Sequence, residues 1–545
     1  MHANPTRSER WYVLAILLVG AALFLATWVF ASQENSRDVA ASGGNYVEGV
    51  IGVPQRVNPV YRGLNPVDDD LSALVFSGLT RMAGDGRVVP DLAESWEISE
   101  DGQAYRFTLR DGLLWQDGEE VTAADVVFTW SVLAGEEFNG DAQLGAFWQT
   151  VEAVAESDTV VRFRLEEAFS PFLAQTTIGI LPEHLLANLA PDEVGQSEFN
   201  RQPVGTGPYR LDSLTPEGAT LEANPAFHMG RPYLDSFELR FFPGEADAMQ
   251  ALLAGSIDGL LLNQPVGAEQ VAAAGEDVAV EELTQNSYSM LYLNHEVPAF
   301  QDDRVRRAIA FALDRERLIE VAGGLGTISD SVITPGTWAW TGAFEPYAHD
   351  PARATALLDE AGWTTGSDGV RARDGERLAF DLVTNNDATR TAVAAEIATQ
   401  LAEVGVRVTS SSSEGEGLYA EVLVPHDFEM ALFGFASDID PDPFPAWHSA
   451  QASEGANIAG ISASDLDGIL AEARVNPDRA RRAELYVAFQ QIFYERQPSI
   501  VLFYPTSLYL RPAELSGWQD AVLFSPSSRF HNVWEWFSET RRVSE

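Results

Sequence analysis

Residues Leu74–Trp130, LVFSGLTRMAGDGRVVPDLAESWEISEDGQAYRFTLRDGLLWQDGEEVTAADVVFTW, hold the densest run of local folding signals in the chain. Tyr105, Phe107 and Leu109 alternate with polar residues, the mark of a strand with one buried face. Asp111-Gly112 follows as a turn signal, so AYRFTLRDGLLW is expected to fold as a hairpin. Thr122 stands as an N-cap ahead of TAADVVFTWSVL, a predicted helix. Just upstream, DDLSALVFSGLTRM places Leu71, Leu74, Val75 and Leu79 at helical spacing behind an Asp-rich start.

The same alternation of short strands and amphipathic helices runs outward from this stretch. TVVRFRLEE is another half-buried strand, with Asp158 in the turn before it. ADAMQALLAGSIDGLLL reads as a helix stopped by Gly255 and followed by a buried strand. Tyr288–Asn294 (YSMLYLN) reads as a strand. DDRVRRAIAFALDRERLIEVAGG reads as one helix, with Val305, Ile309, Ala312 and Leu313 on one face and Gly323 closing it. DPARATALLDEAGW has Asp350 as N-cap, Pro351 at the first helical position and Gly362 past the end. A helix from about Asp478 to Arg496 stops at Pro498, and IVLFYP follows as a buried strand. The Arg-rich face of this helix is expected to be solvated. Mixed elements of this kind predict an α/β class with mixed sheets.

Composition sets the limits. A chain of 545 residues is too long for one hydrophobic core, so two or more lobes are expected. The formal net charge is −46, and the sequence holds no Lys, so all 35 basic residues are Arg. Such a field repels nucleic acid and anionic membrane surfaces. There is no Cys, which excludes disulfides, thiolate metal sites and a cysteine nucleophile. Eight His are scattered without HExxH spacing, and no GxSxG elbow is present. No catalytic residue, metal site or cofactor is therefore expected.

The N-terminus has its own logic. Residues 1–10 carry Arg7 and Arg10, and Trp11–Phe30 is uncharged and mostly apolar. At helical rise it spans about 30 Å, roughly one bilayer core. The basic flank orients the remainder of the chain outside. Residues 11–31 are expected to be a retained anchor, the alternative being a signal segment cleaved near Ala31. Residues 32–44 are a polar tether.

Read as a whole, Leu74–Trp130 closely resembles the signature of the extracellular solute-binding proteins of family 5, the peptide- and oligopeptide-binding receptors of ABC transporters. QPVGTGPYRL, AGSIDGL, YLN with DDRVRRAIAFALDR, DPARATALLDEAGW, FGFASDIDPDP and IVLFYPTSLYLRPAELSGW match in order, so the resemblance covers Asn45 to Phe537. It implies an α/β two-lobe clamshell of the periplasmic-binding-protein type with an inserted subdomain. Lobe one would hold 45–285 with the insertion at about 64–203. Lobe two would hold 286–504, and 505–545 would return to lobe one. The implied function is capture of a peptide or other small solute by hinge closure and delivery to an ABC permease, by a protein expected to be a monomer. The same clamshell could instead serve an oligosaccharide, a metal chelate or surface sensing.

FGFASDIDPDPF raises a sharper question, because a core strand runs straight into Asp438, Asp440 and Asp442. A calcium loop is one reading, but its turn glycine and late Glu are missing. Paired carboxylates for glycoside hydrolysis usually come from separate elements. A turn tightened by Asp and Pro is the third reading, and the preferred one for Asp440 and Asp442. For Asp438 the resemblance implies a contact with the free α-amino group of a peptide. Gly434 and Ala436 would then offer backbone groups to the ligand, with Phe435 as an aromatic wall. The resemblance also places Tyr288 and Tyr504 at the two crossings between lobes. Trp148 is a candidate for the cleft from the inserted subdomain, with a core role as the preferred reading. GTG in PVGTGPYRL lacks the rest of a phosphate loop and reads as a turn.

Overall fold

Gly259–Leu262 and Ile500–Phe503 are buried at every position, and they lie in two different sheets. The computed structural model describes residues 36–264, 272–273, 275–453 and 455–544. The expected anchor at 11–31 lies outside the described residues. Among those described, no helix is long and apolar enough to cross a membrane.

The first sheet has seven strands, in the order Val278–Thr284, Thr506–Pro512, Gly259–Leu262, Asn45–Ile51, Ser236–Phe242, Gly218–Ala223 and Tyr209–Leu214. Asn45–Ile51 pairs in parallel with both neighbours, and the remaining pairs are antiparallel. A four-stranded antiparallel sheet, Ala93–Ile98, Ala104–Leu109, Val160–Leu165 and Val151–Ser157, shares one continuous apolar core with it. The second large sheet has five strands, in the order Arg407–Ser413, Ala379–Asn385, Met430–Ala436, Ser287–Leu293 and Ile500–Phe503. Its core is separate. The fold is thus mixed α/β with two lobes.

The chain passes from the first sheet to the second between Thr284 and Ser287, and back between Phe503 and Thr506. The two passages lie side by side. Gln285 N donates to Pro505 O at 2.9 Å, and Tyr504 exchanges two backbone hydrogen bonds with Thr327. So short a pair of covalent links leaves rotation about them as the easy relative motion of the lobes.

Several local expectations change. The strand Ala104–Leu109 does not fold back on Leu113–Trp115. It lies between Ala93–Ile98 and Val160–Leu165, which cover both its edges. The Asp111-Gly112 turn instead leads into a tight loop in which Leu114 meets Glu120. The long helix expected from Asp302 is two helices, Asp303–Ala312 and Arg315–Val321. Asp314 caps the second by accepting from Arg317 N, and its own N–H donates to the Gln400 side chain. A good N-cap inside an apolar pattern ended the first helix and started another. The helix Pro66–Val75 stops before Leu79, because the backbone of Gly205 and Gly207 packs onto its last carbonyl. Gly207 N donates to Val75 O at 2.8 Å, and a Cβ at Gly205 would overlap that oxygen. The GTG motif is a turn in which both glycines are needed for close approach.

The returning segment is pinned to the first lobe by a buried ionic network. Arg529 Nε donates to Glu48 at 2.7 Å, and its two terminal nitrogens hold Asp70 at 2.9 and 2.7 Å. Tyr509 donates to the other Glu48 oxygen at 3.1 Å. Burial pushes the Glu48 carboxyl up, and Arg529 opposes that shift. Arg529→Met leaves two buried carboxylates without a cation. It is expected to cost about 3–5 kcal/mol, read by urea unfolding of the first lobe. A loss below about 1 kcal/mol would show that the network does not hold this segment.

Candidate ligand-binding cleft

Met430–Ala436 is the strand that leads into the acidic stretch, and its two edges differ. On one side it pairs with Ser287–Leu293 along its whole length. On the other, Ala379–Asn385 pairs only at Met430 and Ala431, then turns away into the helix Ala388–Glu403. Thr384 Oγ1 donates to Leu432 O at 2.9 Å and ends the contact. Ser437 N donates to Asn286 O on the paired side. Backbone polar groups alternate between the two edges of a strand, so Gly434 and Ala436 present theirs to the vacated side. That side opens into a cavity of about 850 Å³ lined by Tyr288, Tyr419, Phe433, Gly434, Phe435 and Ala436, among others. A second chamber of about 610 Å³ lies toward the first lobe, lined by Arg62, Phe147, Phe169 and Phe524. The two chambers meet at Ser437, Asp438 and Ile439.

The three aspartates of the acidic stretch have three different fates. Asp440 holds Arg482 through both carboxylate oxygens, one at 2.8 Å, and Arg482 also donates to Tyr486 OH at 2.7 Å. The Arg-rich face of Arg479–Arg496 is therefore not simply solvated: Arg482 is 5% exposed. Asp442 holds Arg474 at 2.8 Å and accepts from Phe444 N at 3.2 Å. Both aspartates thus anchor to helices behind the turn, which a turn reading alone does not capture. Asp438 has no ion pair among the described residues and is open to solvent in the cleft. Partial enclosure pushes its carboxyl up from the usual range, and Arg62 across the cleft opposes that shift. Asn286 Nδ2 donates to the carbonyls of Ser437 and Asp438 at 2.6 and 3.0 Å, which fixes the backbone that carries the free carboxylate.

The other sequence candidates divide. Tyr288 lines the larger chamber, and Phe435 packs beside Phe433 and Tyr419 in its wall. Tyr504 is fully buried and donates to Ser331 O at 2.8 Å; it supports Tyr288 from behind, with ring centres 5.9 Å apart, and does not line the cleft. Trp148 is likewise a core residue, packed against Trp130, Phe163 and Phe172. Its helix turns Gln143, Leu144 and Phe147 to the cleft instead. Asn286 and Arg62 were not singled out from the sequence, since neither an Asn after a loop nor one Arg among 35 is distinctive there.

Arg474 also touches both lobes. Its guanidinium lies 4.6 Å from the ring centre of Phe444 and 5.0 Å from that of Phe169. Ser170 N donates to Arg474 O at 2.8 Å, and Ser170 Oγ to Asn476 O. The acidic stretch thereby orients a cation that stacks on a ring from each lobe. Burial pushes the Asp442 carboxyl up to about 6, opposed by Arg474. Its folded value lies above its unfolded one, so the cost of burying the charge is absent below about pH 4 and full above about pH 6. Arg474→Ala removes the opposing cation and is expected to lose about 1–3 kcal/mol at pH 7.5. In urea unfolding the deficit should shrink toward pH 4; an equal deficit at both pH values would contradict the coupling.

Comparison with known proteins converges on this architecture. Residues 87–457 match the model for bacterial extracellular solute-binding proteins, family 5 Middle. The oligopeptide-binding protein AppA of Bacillus subtilis is 28% identical over 97% of this chain and 99% of its own length. Its structure in complex with a nonapeptide superposes with a TM-score of 0.64 over 92% of this chain and 99% of that one. Di/tripeptide-binding protein 4 of Pseudomonas aeruginosa is 29% identical over 84% of this chain and 89% of its own. NikZ of Campylobacter jejuni in complex with Ni(L-His) is 27% identical, with a TM-score of 0.65 over 90% of this chain and 99% of that one. With the family model spanning more than half of its length, the chain belongs to the bacterial extracellular solute-binding proteins of family 5.

Proposed function

We propose that this protein is the extracytoplasmic binding component of an ABC importer, and that it captures peptides between its lobes. The observation that carries the reading is the half-open strand. Gly434 and Ala436 turn their backbone N–H and C=O groups toward a cavity, and an extended ligand can complete that edge as a further strand. Main-chain recognition of this kind is indifferent to side chains, which the roomy cavity then accommodates. Asp438, at the end of the same edge, pairs with the ligand's α-ammonium. Tyr288, Phe435 and Phe433 supply apolar wall.

Lobe one comprises 45–285, with 64–203 as its inserted part, and 505–545; lobe two comprises 286–504. Closure about the paired passages at Gln285 and Tyr504 traps the ligand, and the closed form is what a membrane permease recognises. The protein works outside the cytoplasmic membrane as a monomer, anchored by 11–31 or released after cleavage near Ala31. No chemistry on the ligand is needed. A metal-chelate receptor is the second reading, because a relative holds Ni(L-His). Among the described residues, no histidine lines either chamber, which leaves that reading with less support here.

The test is calorimetric titration of the full chain with a mixed di- to hexapeptide pool, and with the same pool N-acetylated. A charge-assisted bond to the ammonium contributes about 1.5–3 kcal/mol, or roughly 10- to 100-fold in affinity. Asp438→Asn should weaken binding of the free pool by that factor and leave the acetylated pool unchanged. Equal binding of both pools by the wild-type protein would remove Asp438 from its role; binding of neither would reject peptides as the ligand.

A further inference from the structure

The chamber of about 610 Å³ on the first-lobe side of the cleft carries an excess of negative charge. Among the described residues, Asp69, Asp141 and Asp438 line it against a single basic side chain, Arg62, and none of the three carboxylates makes an ion pair. Arg62 donates to Gln175 Oε1 at 3.2 Å and to Thr177 Oγ1 at 3.4 Å, so its guanidinium is held to the wall of its own lobe. The larger chamber adds no cation: Asp440 and Asp442 in its lining are already paired with Arg482 and Arg474. Asp69 belongs to an acidic run at the start of Pro66–Val75, and the other two members have partners. Asp68 accepts from the backbone of Gln55 and Arg56, and Asp70 holds Arg529. Asn65 caps the helix, so Asp69 is not needed for that. It accepts from Gly63 N and lines the chamber. Asp141 accepts from Leu144 N through one oxygen only. Enclosure pushes the Asp69 and Asp438 carboxyls up from the usual range; Gly63 N–H and Arg62 oppose this at Asp69, and Arg62 at Asp438.

We propose that this first-lobe chamber is a cation subsite, in which Asp69 and Asp141 select peptides with an Arg or Lys side chain at one of the first two positions. This rests on the peptide reading above and adds a ligand class to it. A neutral peptide leaves the imbalance in place, because its ammonium meets Asp438 while its own carboxylate restores the charge. Closing the lobes over such a ligand strips water from Asp69 and Asp141 without giving them a cation, which costs free energy. A basic side chain supplies that cation. Phe147, Phe169 and Phe524 line the same chamber, so the aliphatic stem lies on apolar surface and the charged head can stack on a ring. The position follows from the geometry. The two chambers meet at Ser437–Ile439, where the ligand's ammonium is proposed to rest, so the side chains within reach are those of the first two residues. Alternation along an extended ligand sends only one of them toward the first lobe.

The experiment is calorimetric titration of the full wild-type chain with tripeptide pools that carry Arg or its neutral isostere citrulline at position one, two or three, the other positions being mixed neutral residues. At one of the first two positions, Arg is expected to bind about tenfold or more tighter than citrulline. At position three the two should bind alike. The field of a chain with net charge −46 acts on all three positions, so the comparison among positions separates the chamber from the field. The double variant Asp69→Asn with Asp141→Asn should bind Arg and citrulline pools equally; Asn can still accept from Gly63 N and Leu144 N, which keeps the loop and the helix cap. Equal wild-type affinity for Arg and citrulline at both of the first two positions, while N-acetylation still weakens binding, would overturn the cation subsite and leave the peptide reading standing. An Arg preference that appears equally at all three positions, or survives in the double variant, would also overturn it. Binding of no pool would overturn both readings. The wild-type comparison needs no variant, so a folding defect in the double variant cannot shelter the proposal.

Discussion

A backbone edge that opens into a cavity must be met by water or by another chain, and the strand Met430–Ala436 has such an edge over its last residues. The cause is local. Ala379–Asn385 runs beside it for two residue pairs, then turns into a helix capped by Asp387. The divergence opens the edge into a cavity walled by Tyr288, Tyr419, Phe433 and Phe435. Asp438 stands past one end of that edge, and Asn286 fixes the backbone that carries it.

Arginine does most of the holding elsewhere. In a strongly acidic chain each buried Arg gathers several acceptors, and the planar guanidinium lets one side chain tie distant segments together. Arg529 joins the C-terminal segment to Glu48 and Asp70, and Arg482 and Arg474 tie the acidic stretch to two helices behind it. These pairs turn two of three neighbouring aspartates into structure and leave the third available. The short links at Gln285 and Tyr504 lie side by side between the two lobes.

Much of the fold was legible because it is written in local signals. Asp350-Pro351 and Gly362 bounded a helix correctly, and the continuous apolar runs at Leu260–Leu262 and Ile500–Phe503 marked fully buried strands. What failed depended on partners distant in sequence. The hairpin at Ala104 was lost because two other strands, one about 55 residues away, claimed both edges. The helix break at Asp314 turned on Gln400, and the fate of Arg482 on Asp440. The site was legible in part. Asp438, Gly434, Phe435 and Tyr288 line one cavity, but the emptiness of the strand's second edge is a property of pairing that no single segment records. Trp148 and Tyr504 were open to two readings because a large aromatic fits a core as well as a cleft, and both are core residues.

The most direct test of the account is amide hydrogen exchange at Gly434 and Ala436, followed by NMR in the full chain with and without a saturating tripeptide pool. If the ligand completes the open edge, both amides should exchange readily in the free protein and become strongly protected on binding, while Phe433 and Phe435, already paired to Ser287–Leu293, change little. Peptide binding without new protection at Gly434 and Ala436 would contradict strand addition and require the ligand to lie elsewhere in the cleft.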